Sequence, residues 1–237
     1  MAAMLDIEGI LLPKAPTADD EELLRPLVTE NCRRRVRDFR LLRDRLRTLC
    51  GEALVLQYLS ERRQIDRRDI HWAQNQFGKP YIEGLADFAF NVAHDGEMVL
   101  AAFSGAAVGI DVALRSPIDI HMLSRLLSSA DRRELEKFSG RARLEMFYAL
   151  WTAKESYLKA LGEGLSRDLD SFSLRFDLPR IQVCDPLLPG GKWHVHAWNI
   201  PVDYTISACF QGEQDVLKPR IVHFDRFAHS AMTSMPG

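Results

Sequence analysis

An α+β fold made of a duplicated unit is what this sequence predicts, and three features carry the prediction. Apolar residues recur every three or four positions over 33–58 and 144–161, the spacing of an amphipathic helix. They alternate over 88–112 and 172–210, the spacing of half-buried strands. The order, helices and then a three-stranded antiparallel meander, occurs twice and joins at Ala113–Pro117. That gives an N-terminal α+β half over residues 1–114, with an arginine-rich helix, and a C-terminal half over 115–237. Each has a usual domain size, and the junction is a natural place for a ligand cleft.

Each element has a local cause. Thr17 ahead of Asp19, Asp20 and Glu21 opens a helix, and Pro26 interrupts or ends it. Val36, Phe39, Leu42, Leu46, Leu49, Ala53 and Leu56 form one stripe, on one helix or two in series. Ile70-His71-Trp72 reads as a short strand, and Phe77–Tyr81 as a turn with Gly78 and Pro80 around Lys79. Phe88, Phe90 and Val92 mark a strand; Met98–Phe103 and Ala107–Val112 are two more, with Ser104-Gly105 turning between them. Helices follow at Ile118–Leu127, Asp131–Phe138 and Leu144–Leu161, the last ended by Gly162. Phe172–Phe176, Trp193–Trp198 and Tyr204–Phe210 alternate as strands, and no pattern assigns the residues from Gln211 onward.

Composition narrows the class. With 237 residues, 46% hydrophobic, 27% charged and a net charge of -2, the chain has ordinary globular usage, which excludes a disordered or collagen-like protein. No apolar run is long enough to cross a bilayer, and the N-terminus lacks the basic start and long apolar centre of a signal peptide. A cytoplasmic protein is expected. Cys32, Cys50, Cys184 and Cys209 are scattered and form no CxxC pair, so they read as free thiols and not as a metal site or disulfide framework.

Several residues have chemical potential beside an ordinary structural reading. Asp111, in Val108-Gly109-Ile110-Asp111-Val112-Ala113, points away from its valine and isoleucine neighbours. Gly109 and Ala113 share its face, so the carboxylate stands in open space beside approachable backbone; alone it reads equally as a strand-end aspartate. Glu155 lies between Trp151 and Leu158 on the apolar side of its helix, where a carboxylate is paired, hydrated or cation-bound. Lys159, four residues on, makes it also an ordinary helical ion pair. His94 ends a strand beside the Asp95-Gly96 turn and can reach a phosphate oxygen or serve structure alone. Lys79 sits on a stiff turn, suited to a phosphate or base contact. Arg33, Arg34, Arg35, Arg37, Arg40, Arg43, Arg45 and Arg47 form a local positive run that fits coenzyme phosphates, an acidic partner, nucleic acid or a solvated helix face. P-loop, HExxH, GxSxG and GxGxxG motifs are absent.

Taken together, FGKPYI, FNVAHDG, VGIDVA and WTAKESYLKALGEGL, in that order after the arginine-rich helix, resemble the Sfp-type 4′-phosphopantetheinyl transferases over roughly residues 20–177. The resemblance implies a pseudo-twofold pair of α+β halves with the active site between them. It implies transfer of the phosphopantetheine arm of coenzyme A to a serine of a carrier protein. A cytoplasmic monomer with no nucleic-acid or membrane partner is expected, because the two-half layout can form a complete site in one chain. Asp111 and Glu155 would hold Mg²⁺ against the pyrophosphate, Glu155 would help deprotonate the serine, and Lys159 would stabilise charge on phosphate. His94 would contact the 3′-phosphate, and Lys79, Arg47 and Thr48 the nucleotide. Three positions depart from the pattern. Ala113 replaces an acidic residue, so water takes that place on Mg²⁺. Ala93 stands where a serine is common, and Cys32 where a lysine is common; Arg33 or Arg35 substitutes for the lysine. The rival readings are a nucleic-acid-binding module on residues 33–47 and a catalytically degenerate protein that binds coenzyme A or a carrier.

Overall fold

The structure, a computed structural model, describes residues 4–164, 167–177, 180–200 and 203–233. The order opens with β1 (Met4–Leu11), α1 (Ala18–Leu24), α2 (Glu30–Val36) and α3 (Leu42–Arg63). Five strands follow: β2 (Trp72–Gln74), β3 (Pro80–Ile82), β4 (Ala89–Asp95), β5 (Met98–Ser104) and β6 (Val108–Leu114). Three helices come next, α4 (Ile120–Leu123), α5 (Ser129–Leu135) and α6 (Gly140–Leu161). The chain then runs through β7 (Ser173–Asp177), β8 (Arg180–Cys184), β9 (Trp193–Ile200), β10 (Tyr204–Gln211), β11 (Asp215–Val216), β12 (Arg220–His223) and α7 (Phe224–Thr233). The class is α+β. The stripe over 33–58 resolves into α2 and α3 in series, and Pro26 turns the end of α1 into a 3₁₀ segment, Arg25–Leu27.

Two compact units interleave along the chain. One comprises Ile7–His71, Val92–Ala101 and Lys218–Gly237. Here β1 pairs in parallel with β12, Gly9 opposite Ile221. Gly51 of α3 lies against β4: a Cβ there would stand 2.8 Å from Val92 Cγ1, so only glycine lets the helix this close. Thr17 caps α1, its N–H and hydroxyl donating to the Asp20 carboxylate at 2.7 and 3.1 Å. In α7, Phe224, Phe227, Ala228 and Ala231 are buried at helical spacing.

The other unit comprises Met1–Asp6, Trp72–Asn91 and Ala102–Leu217. Met4 and Leu5 of β1 pair with Asp215 and Val216. Its main sheet has the order β6-β10-β9-β8-β7. The pairings β6–β10, β10–β9, β9–β8 and β8–β7 are antiparallel, with Ser207 opposite Asp111. The second run of strands is thus a four-stranded meander that gains β6 at its edge.

The first run departs from the expected three-stranded meander, because β6 joins β10. The reason lies in the turns. Gly96 has φ +53, as a tight hairpin between β4 and β5 requires, whereas Gly105 has no positive φ. Ser104 Oγ instead accepts the Ala106 N–H and donates to Gln214, leading the chain out of β5 without a hairpin.

Helix α6 covers one face of this sheet. Phe147, Leu150, Ala153 and Tyr157 bury against Phe172, Leu174, Val195 and Cys209. The closest approach is backbone on backbone. A Cβ at Gly109 of β6 would stand 2.1 Å from Ser156 O and 2.3 Å from Ala160 N. Gly109 and Asp111 share a strand face, so the space beside Asp111 is filled by α6 and is not open, as alternation alone predicts it to be.

Gly109→Ala should therefore cost at least about 3 kcal/mol, because no flexible side chain can yield. Urea denaturation checks this; an unchanged midpoint rejects the close contact.

Candidate active site

The packing of α6 on β6 gathers three of the predicted residues. Asp111 is 9% exposed. Its Oδ1 accepts from Lys159 Nζ at 2.6 Å. Glu155, one helical turn before Lys159, is half-buried. Burial first, and then the Asp111 charge, raise the Glu155 carboxyl above its usual range, while Lys159 pulls it down. The two carboxylates therefore lie close enough to repel, with one ammonium between the helix and the strand. Trp151 stacks on Phe147 at 5.9 Å between centroids, shielding the turn before Glu155.

Two mutually repelling carboxylates are a donor set for a hard divalent cation, which relieves the repulsion. Among the described residues no group of three His, Cys, Asp or Glu side chains could hold a metal ion. Position 113, on the same strand face as Asp111, is alanine. The pair fits magnesium, which often takes one or two protein carboxylates and completes its shell with water and substrate phosphate oxygens.

Lys79 has a different job from the one its turn suggests. Its Nζ donates to the backbone carbonyls of Val108, Lys159 and Ala160 at 2.9, 2.6 and 3.2 Å. All three ammonium hydrogens are used. The side chain packs under Gly162, the left-handed residue that ends α6, and it fills carbonyls the helix end would leave unpaired. Burial pushes its pKa down to about 8. Asn75 assists by donating to Gly162 O at 2.8 Å. Lys79 thus ties β6 to the end of α6.

Arg47, Thr48, Arg35 and His94 belong to the other unit. Arg47 donates to Gly96 O at 2.6 Å and to Asp44 at 3.0 Å, fastening α3 to the β4–β5 turn two residues beyond His94. Thr48 donates to Asp44 O at 3.0 Å. His94 is exposed near the end of β4, so Arg47 and His94 share a neighbourhood. Arg35 is exposed on α2, its Nη2 4.0 Å from Cys32 Sγ.

Part of the arginine run is consumed internally. Arg33 pairs with Glu30 at 3.1 Å, Arg43 with Glu97 at 3.1 Å and Arg45 with Glu21 at 2.8 Å. Those three arginines are therefore engaged within the unit, while Arg34, Arg35, Arg37 and Arg40 are exposed. A cavity of about 260 Å³ lies elsewhere, against His194, His196, Phe210 and Glu213. It holds none of the predicted residues.

The sequence matches two family models: "4′-phosphopantetheinyl transferase, N-terminal" over residues 15–105, and "4′-phosphopantetheinyl transferase superfamily" over 107–209. It is 34% identical over 208 residues to the 4′-phosphopantetheinyl transferase Sfp of Bacillus subtilis (strain 168), covering 86% of this chain and 92% of the relative. The human L-aminoadipate-semialdehyde dehydrogenase-phosphopantetheinyl transferase is 29% identical over 163 residues, 63% of this chain and 52% of that protein. A holo-(acyl-carrier-protein) synthase from Bacillus anthracis, solved with CoA (3′,5′-ADP), aligns with 46% of this chain and 97% of its own, at TM-score 0.39 and 18% identity.

If Lys79 is the brace its bonds indicate, Lys79→Met should lower stability by about 2 kcal/mol. A thermal melt checks this, and an unchanged melt would return Lys79 to a ligand-holding role.

Proposed function

This chain belongs to the 4′-phosphopantetheinyl transferase superfamily, and from that premise we infer that it moves the 4′-phosphopantetheine arm of coenzyme A onto a serine of an acyl or peptidyl carrier protein. The apo-carrier becomes holo, and 3′,5′-ADP leaves. The observation that carries the reading is the meeting of Asp111 and Lys159, 2.6 Å apart, beside a Glu155 that feels the Asp111 charge.

Phosphoryl transfer depends on alignment and charge neutralisation more than on covalent help from the protein. The serine oxygen forms a bond to the β-phosphorus, and the bond from that phosphorus to the bridging oxygen breaks. Glu155 takes the serine proton, directly or through water; burial raises its basicity. Lys159 has three ammonium donors and one on Asp111, which leaves it able to hold a phosphate oxygen as charge develops. Asp111 keeps Lys159 oriented. Magnesium, held by Asp111 and Glu155 with water in place of a third carboxylate at Ala113, would supply charge neutralisation to the diphosphate.

The same proposal gives the nucleotide end of coenzyme A to Arg35, Arg47, Thr48 and His94. Arg47 acts there by holding the turn beside His94. It treats residues 1–114 and 115–237 as two related α+β halves, whereas the family models divide the chain earlier, ending at 105 and beginning at 107. It makes the enzyme a cytoplasmic monomer with reduced thiols, in keeping with four free cysteines.

Incubation of candidate apo-carriers with the protein, coenzyme A and Mg²⁺ should add the phosphopantetheine mass to one of them, read by mass spectrometry; no gain on any carrier class refutes transfer. Asp111→Ala should lower the rate about 10²-fold or more, and a near-normal rate removes Asp111 from the site. Arg47→Ala should raise the KM for coenzyme A, whereas an unchanged KM takes Arg47 out of coenzyme binding.

A further inference from the structure

The lysine just before Glu155 has no part in the chemistry above, yet it is fully enclosed. Lys154 and Asp131 form an ion pair at 2.7 Å, and both side chains are 0% exposed. Lys154 Nζ also donates to Leu169 O at 2.7 Å and Phe172 O at 2.5 Å, and it stands 4.0 Å from the centre of the Phe172 ring. Asp131 in turn accepts the Leu174 N–H at 2.9 Å and the Ser128 hydroxyl at 2.5 Å. One cation thus ties three stretches together: α6, the first turn of α5, and the chain entering β7.

An ion pair is a costly way to hold a helix. Two well-packed apolar side chains hold such a position as well or better, because burying charge forfeits hydration. An ion pair differs in fixing direction. The ammonium of Lys154 has three acceptors for its three hydrogens, so α6 can neither slide nor roll without breaking a buried bond.

Rolling is what the site cannot tolerate. At about 100° per residue, Glu155 projects roughly 100° from Lys154 and Lys159 roughly 140° from it. The anchor and the reacting groups therefore point to different flanks of one cylinder. With side-chain tips about 5 to 6 Å from the axis, a roll of about 10° moves them by about 1 Å. A displacement of about 1 Å at reacting groups can cost about 10²-fold in rate.

We propose that the buried Lys154–Asp131 pair is a positioning element that sets the rotation of α6 and thereby aims Glu155 and Lys159 at Asp111. The inference rests on the transferase reading for its effect on rate, but not for its effect on the helix. Thr152, bonded to Ser207 at 2.7 Å, and Tyr157, bonded to Asp185 at 2.6 Å, keep α6 attached to the unit when the pair is removed. A helix that loses its key while staying docked is the state the test needs.

Lys154→Met alone leaves Asp131 buried without its cation and is prone to unfold. The informative protein is the full chain carrying Lys154→Met with Asp131→Asn, in which no charge remains and Asn still accepts the Leu174 N–H. It should melt within a few degrees of the parent. Its kcat, per folded molecule, should fall 10-fold or more while its KM for coenzyme A stays within about twofold, and crystal structures should show α6 rolled relative to the parent. A structural ion pair with no positioning role instead gives a folded variant with parental kcat, and that result overturns the proposal. So does an α6 superposing on the parent with Lys159 still on Asp111. Should the parent transfer nothing to any carrier, the functional reading fails, and the crystallographic comparison alone decides the role of the pair.

Discussion

The contact between the backbone of β6 at Gly109 and the backbone of α6 at Ser156 and Ala160 governs the rest of this structure. It is possible only because residue 109 has no side chain, and it sets the shortest distance at which a helix can lie on a strand. Asp111 is two residues along the strand and Lys159 one residue before Ala160. That contact brings Lys159 within reach of Asp111, and the two pair at 2.6 Å. The chemistry attributed to this unit depends on two backbones touching, and only then on which side chains surround them.

Polar anchors hold α6 around its circumference. Lys79 ties its last carbonyls, Tyr157 bonds Asp185, Thr152 bonds Ser207 and Lys154 meets Asp131. Seven apolar or aromatic residues of α6 are buried, and their packing holds it against the sheet. Packing of that kind tolerates small slips of register, whereas a hydrogen bond is lost over a fraction of an ångström. A helix that carries two reacting groups has use for the second kind of constraint.

How much of this was legible in the sequence depended on distance along the chain. The C-terminal end of α6, its closing Gly162 and the alternation of β6 are local, and local patterns state them, although the helix starts at Gly140, one turn before the expected Leu144. The same holds for Asp111, Glu155 and Lys159 as a set, because four short motifs in order resemble a family. What was not legible is long-range. Arg43 and Arg45 read as cations available to ligands, yet their partners Glu97 and Glu21 lie 54 and 24 residues away. Gly109 read as room for a ligand because nothing near it names α6 as its neighbour. Lys154 drew no notice, since periodicity cannot see a buried acid on another helix. The exit of β6 to β10 turned on whether Gly105 adopts a positive φ, which residue type alone leaves open.

The pairing of β1 has a consequence for how the protein is made. Its residues Met4 and Leu5 find their partners at Asp215 and Val216, and Glu8 finds Arg220. At a synthesis rate of about 5–20 residues per second, the ribosome needs roughly 10–40 s between delivering the first strand and delivering β11 and β12. Through that interval an apolar strand, with Leu5, Ile7 and Ile10 destined for the core, waits with an unpaired edge. Its other neighbour in the sheet, β5, is delivered much sooner, so the edge left waiting is the one that β11 and β12 later cover.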